Sequence, residues 1–284
     1  MDLDGTVTKC EKCEGEMIQD KDTFDTWFSS GQWPFASLGY PNNPDFKMYY
    51  PTDVLETAGE IIFFWVSRMI MLGLYITGKV PFKTVYLHGL VLDAKGLKMS
   101  KSKGNVIDPL VLTDKFGTDA FRMGMVIGNT PGTSLALSED KIKAYKNFAN
   151  KLWNITRFVL TSIEGFDAKK PESLTDEDLI NISELNEIAK DVTKDMDEYR
   201  FYLGAEKLYH YVWHTFADKI IEGSKEKLKS DDLNIVRSKQ YTLLHLLKTS
   251  LKLLHPFMPF ITEEIWSHLK SPDENLLLVT EWPK

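Results

Sequence analysis

Residues 84–105 read TVYLHGLVLDAKGLKMSKSKGN, and this stretch decides the fold. Its first nine residues, Thr84 to Leu92, are rich in β-branched and aromatic side chains and short enough for one strand. Apolar residues fall on both faces of the extended chain, as in a buried parallel strand. The rest, Asp93 to Asn105, is a polar loop with Lys95, Lys98, Lys101 and Lys103 set among Gly96, Ser100, Ser102 and Gly104. On charge alone this is an ordinary solvated loop. The order of the residues points instead to a nucleotide. Glycines let the backbone approach a ligand closely. Hydroxyls and backbone N–H groups donate to phosphate oxygens, and two lysines three residues apart bracket a triphosphate as point charges. A Walker A loop is excluded, because Gly-x-x-x-x-Gly-Lys-Ser/Thr does not occur.

Upstream, residues 1–22 are polar and hold the only cysteines, Cys10 and Cys13. They predict a small Cys-x-x-Cys knuckle, and two cysteines in 284 residues fit a reducing cytosol better than a disulfide framework. No signal peptide is visible after Met1. Residues 23–52 are rich in turn signals. Asp53 is read as the N-cap of an apolar helix running to about Ile76, with Gly78 to end it and Pro81 to bar its continuation. The stretch from Ile61 to Ile76 carries Arg68 and is too short for a membrane span, so it is expected to be a buried core helix. A helix, a buried strand and a ligand-type loop in succession describe a doubly wound α/β domain, with the site at the strand's C-terminal end.

Downstream, Asp108-Pro109 forms a good N-cap and N1 pair, and Gly117 ends that helix. From Ser138 onward the pattern is wholly helical: Lys141 to Ser162, a linker at 164–174, then Thr175 to Asp197, Tyr199 to Gly223, Asp231 to Leu254 and Pro259 to Leu269. Leu243, Leu244, Leu246, Leu247, Leu251 and Leu254 make the broad apolar stripe of a bundle core. The predicted fold class is therefore α/β plus all-α, with a knuckle at 1–22, a nucleotide-binding part at 23–137 and a helical part at 138–284. Net charge is -7, so any contact with nucleic acid must come from local basic patches rather than bulk charge.

His88-Gly89-Leu90-Val91, followed by Lys98-Met99-Ser100-Lys101-Ser102 and Gly104-Asn105, resembles the second signature of the class I aminoacyl-tRNA synthetases. Four stretches extend the resemblance to the valyl-tRNA synthetase family: Asp25 to Ser30 with Trp33-Pro34-Phe35, Ile61 to Met69, Gly78 to Lys83, and Asn147 to Asn154. Leu254 to Trp266 matches that family's late helix, so the likeness runs from about Cys10 to Pro283.

The resemblance implies the second half of a Rossmann-like catalytic domain followed by an α-helical anticodon-binding bundle. It implies two steps: activation of valine by ATP with Mg²⁺ to valyl-adenylate, then transfer to tRNA(Val). Such chemistry depends on positioning and charge neutralisation. By the same resemblance Lys98 and Lys101 stabilise the triphosphate, Ser100 and Ser102 order the loop, and His88, Gly89 and Met99 border the nucleotide. Trp27 and Ile61 line the valine pocket; a core tryptophan and a core isoleucine are the plainer readings. Ala58, Gly59 and Glu60 stand where the family has Gly-x-Asp against the ATP ribose. Glutamate still accepts hydroxyl hydrogen bonds but is one methylene longer, and alanine permits less close approach.

On the helical part, Asn147, Asn150, Lys151, Trp153, Asn154 and Arg157 are assigned to tRNA, with a solvated face as the plainer reading. Cys10 and Cys13 supply two of the four ligands a structural zinc needs. No histidine of the six begins a His-Ile-Gly-His tetrapeptide, and no inserted editing domain is present. The chain is expected to be a C-terminal fragment that works with a separate N-terminal half in the cytoplasm and is inactive alone. A non-catalytic tRNA-binding module, or the same fragment of an isoleucyl or leucyl enzyme, remain open alternatives.

Overall fold

Strand β1 (Thr52–Ala58) pairs with β2 (Phe82–His88), and β3 (Val91–Leu92) pairs in parallel with β4 (Leu135–Ala136), Val91 facing Leu135 and Leu92 facing Ala136. The computed structural model describes residues 8–18, 21–167, 169–270 and 275–283. They form two compact units, Met1–Leu87 and His88–Lys284.

In the first unit a hairpin at the knuckle is closed by a Lys9–Glu16 bridge. Short helices α1 (Thr26–Ser30), α2 (Trp33–Ala36) and α3 (Pro44–Tyr49) follow, the first capped by Asp25 and the third by Asn43. After β1 the chain turns through a 3₁₀ turn (Gly59–Ile61) and a wide π turn (Ile62–Val66) into α4 (Ser67–Thr77), which Gly78 ends in the left-handed conformation at φ 73°. Leu55, Val66, Met69 and Phe82 form the unit's core cluster.

Two expectations fail here. Asp53 does not cap a helix, because it lies inside β1. Thr52, Val54 and Thr57 suit a pleated strand, and the Thr52 N–H bonds the Pro81 carbonyl at 2.9 Å, a partner that local reading cannot supply. The apolar helix is also not a buried core helix. Val66, Met69 and Gly73 are its buried residues, while Phe63 is 74% exposed and Tyr75 88%. The stretch Gly59–Thr77 is apolar and long enough to pass for a membrane span, yet only 17% of it is buried. Among the described residues, the first unit has too few elements to cover all its faces. Arg68 meets Asp25 at 3.8 Å.

The predicted single strand from Thr84 to Leu92 is two, interrupted at Gly89-Leu90. In the second unit β3 leads into the lysine loop, whose residues Lys101–Lys103 form one 3₁₀ turn. Helix α5 (Pro109–Phe116) starts on the Asp108 cap, and α6 (Thr118–Val126), β4 and α7 (Glu139–Ser162) follow, the Ser138 hydroxyl capping α7. The bundle continues with α8 (Asp176–Asp197), α9 (Phe201–His210), a long π segment (Tyr211–Ile221), α10 (Glu222–Lys227), α11 (Leu233–Leu254) and α12 (Pro259–Leu269). The predicted helix from Tyr199 to Gly223 is thus three segments; the hydrophobic period does not reveal the widened turn. Leu243, Leu246, Leu247, Leu251 and Leu254 are fully buried and centre the core, each stabilising the fold by about 1.5–3 kcal/mol over an exposed leucine.

α6 is pinned to the N-terminus of α12. The Asp119 carboxylate accepts the Phe260 and Ile261 N–H groups at 3.2 and 2.6 Å, and Arg122 donates to the Pro256 and Phe257 carbonyls. The helices that follow the lysine loop are therefore built into the bundle.

Candidate functional site

The lysine loop is folded around one carboxylate. Asp93, just after β3, accepts the Lys95 and Leu97 N–H groups through Oδ1, both at 2.9 Å. Its Oδ2 accepts the Asn105 side-chain amide at 2.9 Å. Asn105 then takes the Ser100 N–H on its own carbonyl oxygen at 2.9 Å and donates to the Lys98 carbonyl at 3.3 Å. The loop is thus cross-tied from its first residue to its last. The Asn105 amide, followed by the Leu97 N–H, holds the Asp93 carboxyl below its ordinary value.

Within this frame Leu92 and Lys98 form an antiparallel bridge, and the Ser100 and Ser102 hydroxyls lie 3.2 Å apart. Gly96 and Gly104 take left-handed conformations at φ 75° and 65°, where a side chain would be strained. Leu97 and Lys98 are exposed, while Met99 and Ser100 are half-buried. The Lys101 side chain lies outside the described part of the structure. Lysines and hydroxyls on a tied, glycine-flanked loop suit a polyphosphate, which needs charge and donors in fixed places. Asp93 is the residue that motif reading missed; Asp at the head of a loop with a glycine three residues on was the available signal.

His88 and Gly89 sit at the break between β2 and β3. The His88 ring nitrogen Nδ1 lies 3.0 Å from the Gly89 carbonyl oxygen. A Cβ on Gly89 would fall 1.7 Å from the Thr133 carbonyl oxygen. The absence of a side chain is therefore demanded by backbone packing, with no ligand needed to account for it. Gly59, in the first unit, is different: nothing lies within 4 Å of a Cβ built there.

In the first unit Ala58 ends β1, and Gly59, Glu60 and Ile61 make the turn out of it, so the stretch matched to the ribose contact is a strand-to-helix turn. Ala58 and Ile61 are half-buried and Glu60 is exposed. Trp27 is half-buried and stacks on Phe64, ring centroids 6.0 Å apart. Cys10 and Cys13 are free thiols on the knuckle hairpin, and backbone N–H groups of Lys12 and Cys13 lower the Cys10 thiol below its ordinary value. That turn suits thiolate ligation, but no group of three metal-ligating side chains occurs among the described residues, so a zinc site is not complete within them.

On α7, Asn147, Asn150, Asn154 and Arg157 share one exposed stripe at helical spacing. Trp153, beside it, is 38% exposed and meets the His268 ring edge-on at 6.0 Å. Lys151 is engaged elsewhere: its ammonium pairs with Asp218 at 2.6 Å and lies 4.5 Å over the Trp213 ring.

A parallel strand pair, a tied lysine loop at the end of β3 and a helical bundle built onto it define a class. Residues 3–138 match the family of class I tRNA synthetases for isoleucine, leucine, methionine and valine, and residues 178–284 match the anticodon-binding domain of tRNA ligases. The chain belongs to the class I aminoacyl-tRNA synthetases. Its sequence relatives include valine–tRNA ligases: it is 48% identical to that of Dehalococcoides mccartyi (strain CBDB1) over 93% of this chain and 30% of the relative, and 45% identical to that of Thermotoga maritima over 98% and 32%. The chain thus spans about a third of the length of the curated relatives it matches. The same fold occurs in the Agrobacterium radiobacter K84 LeuRS crystallised with tRNA and LeuAMS, at TM-score 0.76 and 24% identity, covering 97% of this chain and 34% of that one. Mycobacterium tuberculosis methionyl-tRNA synthetase bound by methionyl-adenylate gives 0.70 and 22%, covering 83% and 48%.

Proposed function

We infer that this chain supplies the lysine-loop half of the active site and the tRNA-binding bundle of a valine–tRNA ligase. The observation that carries this reading is the Asp93–Asn105 frame, which holds Lys98, Ser100 and Ser102 on one short loop in a chain whose relatives are valine–tRNA ligases. ATP with Mg²⁺, valine and tRNA(Val) are the substrates. The valine carboxylate attacks the α-phosphate, and Lys98 and Lys101 neutralise the charge that builds on the leaving pyrophosphate. Glu60 takes a ribose hydroxyl in place of the family's aspartate, and Trp27 and Ile61 face the valine side chain. The exposed α7 stripe of Asn147, Asn150, Asn154 and Arg157, with Trp153 beside it, meets the anticodon arm. Cys10 and Cys13 are two ligands of a zinc knuckle whose other ligands lie outside the described residues. A cytoplasmic setting follows from the substrates.

Valine-dependent ATP–pyrophosphate exchange tests the reading. The remaining two thirds of a relative, added to this chain, should give exchange with valine, and Lys101→Ala should slow it roughly a hundredfold. Exchange by this chain alone, or no loss in the variant, would refute the division of labour. Salt-sensitive tRNA binding with no exchange on complementation would favour a non-catalytic RNA-binding module.

A further inference from the structure

The outer face of α4 belongs to neither the lysine loop nor the α7 stripe. Phe24, Phe28, Phe63, Phe64, Met71 and Tyr75 are all exposed, Met71 at 63%. At the areas usual for such side chains they bare roughly 750 Å² of apolar surface. The largest apolar patch on a typical monomer is about 300–600 Å². The patch is continuous. Phe24 stacks on Phe28 with ring centroids 4.5 Å apart, and Phe63 meets Phe64 edge-on at 5.6 Å. Joining the two pairs is a cavity of about 370 Å³, lined by Phe28, Phe63, Ser67, Arg68, Met71 and Leu72. Arg68 is the one charged residue of that lining, and it already meets Asp25 at 3.8 Å. The Ser67 hydroxyl donates to the Phe63 carbonyl within its own helix, so the cavity wall asks for no polar partner.

The face is complementary to itself. Phe63, Ser67, Met71 and Tyr75 recur every four residues and share one side of the helix. Laid antiparallel against its own copy, with Met71 set against Ser67 of the second copy, the stripe also sets Phe63 against Tyr75 and Phe64 against Leu74. The long Met71 side chain thus meets the small Ser67, where the cavity lies. Each contact occurs twice, as two-fold symmetry requires. Glu60 precedes the stripe and Lys79 follows it, both exposed. Antiparallel order brings these unlike charges together at both ends, whereas parallel order brings like charges together.

We propose that two copies of this chain associate through α4, antiparallel about a two-fold axis near Met69, with Met71 of each copy seated in the cavity of the other. A standard interface takes about 800 Å² from each partner, and the six residues alone offer roughly 750 Å². The occupant is a second copy because knob, cavity and both end charges come from the same helix.

Sedimentation equilibrium of the 284-residue chain at micromolar concentration tests the proposal, and should give twice the mass of one chain. Met71→Glu puts a carboxylate into the cavity from a site that is exposed in the single chain. It should keep the circular dichroism spectrum and weaken the dimer about tenfold or more, because the charge is buried unpaired. Tyr75→Glu, at a position 88% exposed, should do the same and carries the test if Met71→Glu misfolds. Ser67→Lys should also weaken the dimer. An equimolar mixture of Met71→Glu and Ser67→Lys chains should dimerise again, because the new carboxylate and ammonium face each other. A wild-type chain of single mass overturns the proposal. A dimer that Met71→Glu and Tyr75→Glu leave intact overturns it too, since the contact then lies elsewhere. A mixture no tighter than its separate variants overturns the register. A chain that stays single until the remaining two thirds of a relative are added, and then binds that segment one to one, assigns the face to the segment and not to a second copy.

Discussion

The Asn105 side-chain amide donates to Asp93 Oδ2 at 2.9 Å, joining the two ends of the lysine loop. Neither residue carries the charge that the proposed triphosphate site uses. Together they set the positions of the residues that do, because Asn105 also takes the Ser100 N–H and donates to the Lys98 carbonyl. The loop's chemistry rests on a frame made of an acid and an amide.

Asn105→Ala should therefore cost about 0.5–1.5 kcal/mol of global stability, as loss of a half-buried hydrogen-bonding side chain does, while freeing the loop backbone. Amide exchange at Ser100 should rise about tenfold or more, and exchange unchanged from wild type would show that the frame is idle. The Asp93 carboxyl titrates below its ordinary value of 3.8, with the Asn105 amide as the main cause. Its contribution to loop order is complete above that value and is lost as pH falls through the lower folded value. The Leu97 amide resonance should report that midpoint.

Gly89→Ala tests what Gly89 is for. Its Cβ would meet the Thr133 carbonyl at 1.7 Å, a backbone contact that no rotamer change relieves. Overpacking of this kind costs about 1–3 kcal/mol, occasionally more. Gly59→Ala meets nothing within 4 Å and should stay within about 0.5 kcal/mol of wild type. Urea unfolding of the two variants separates them, and equal midpoints would mean that the Thr133 loop yields freely.

These residues also mark where the sequence was readable. Helix caps act within three residues, so Asp108, Ser138 and Thr175 announce α5, α7 and α8, and Pro259–Leu269 is α12 to the residue. The lysines and hydroxyls of the loop are legible for the same reason: they lie close together in the chain. What failed was decided at a distance. Asp53 has the chemistry of a cap, yet the Thr52–Pro81 bond commits its neighbourhood to a strand. Gly89 is matched to the nucleotide by resemblance, and local reading cannot see its second constraint, the backbone of Thr133. The widened turn at Tyr211 keeps the apolar pattern of a helix and so leaves no local trace.

Asp119 ties α6 to α12, and its removal should show in both stability and pH response. Asp119→Ala leaves the Phe260 and Ile261 N–H groups without their acceptor, at a cost near 1–2 kcal/mol for a lost cap. Burial is the main influence on the carboxyl and raises its pKa, against the pull of those two N–H groups. A raised acid gives stability that is fully present below its unfolded pKa and lost as pH rises through the folded value. Asp119→Asn, which cannot titrate, should flatten that part of the stability profile. An identical slope in wild type and variant would refute the assignment.

Lys239 and Asp178 form a fully buried ion pair at 2.6 Å, with side chains 1% and 0% exposed. Asp178 Oδ2 also accepts the Ser238 and Thr175 hydroxyls, at 2.6 and 2.7 Å, and the Thr175 hydroxyl caps α8. The pair thus fixes the start of α8 against α11. A buried pair is strongly destabilised by loss of one partner, because the other charge remains unmet in a medium that solvates it poorly. Lys239→Met should cost about 3–5 kcal/mol in urea unfolding. Adding Asp178→Leu should recover much of the loss, since both charges are then gone, although the Ser238 hydroxyl loses its acceptor and recovery stays incomplete. A single variant within about 0.5 kcal/mol of wild type, or a double variant no more stable than the single, would mean that the Asp178 carboxylate is satisfied without the ammonium, by the Ser238 and Thr175 hydroxyls that already donate to it.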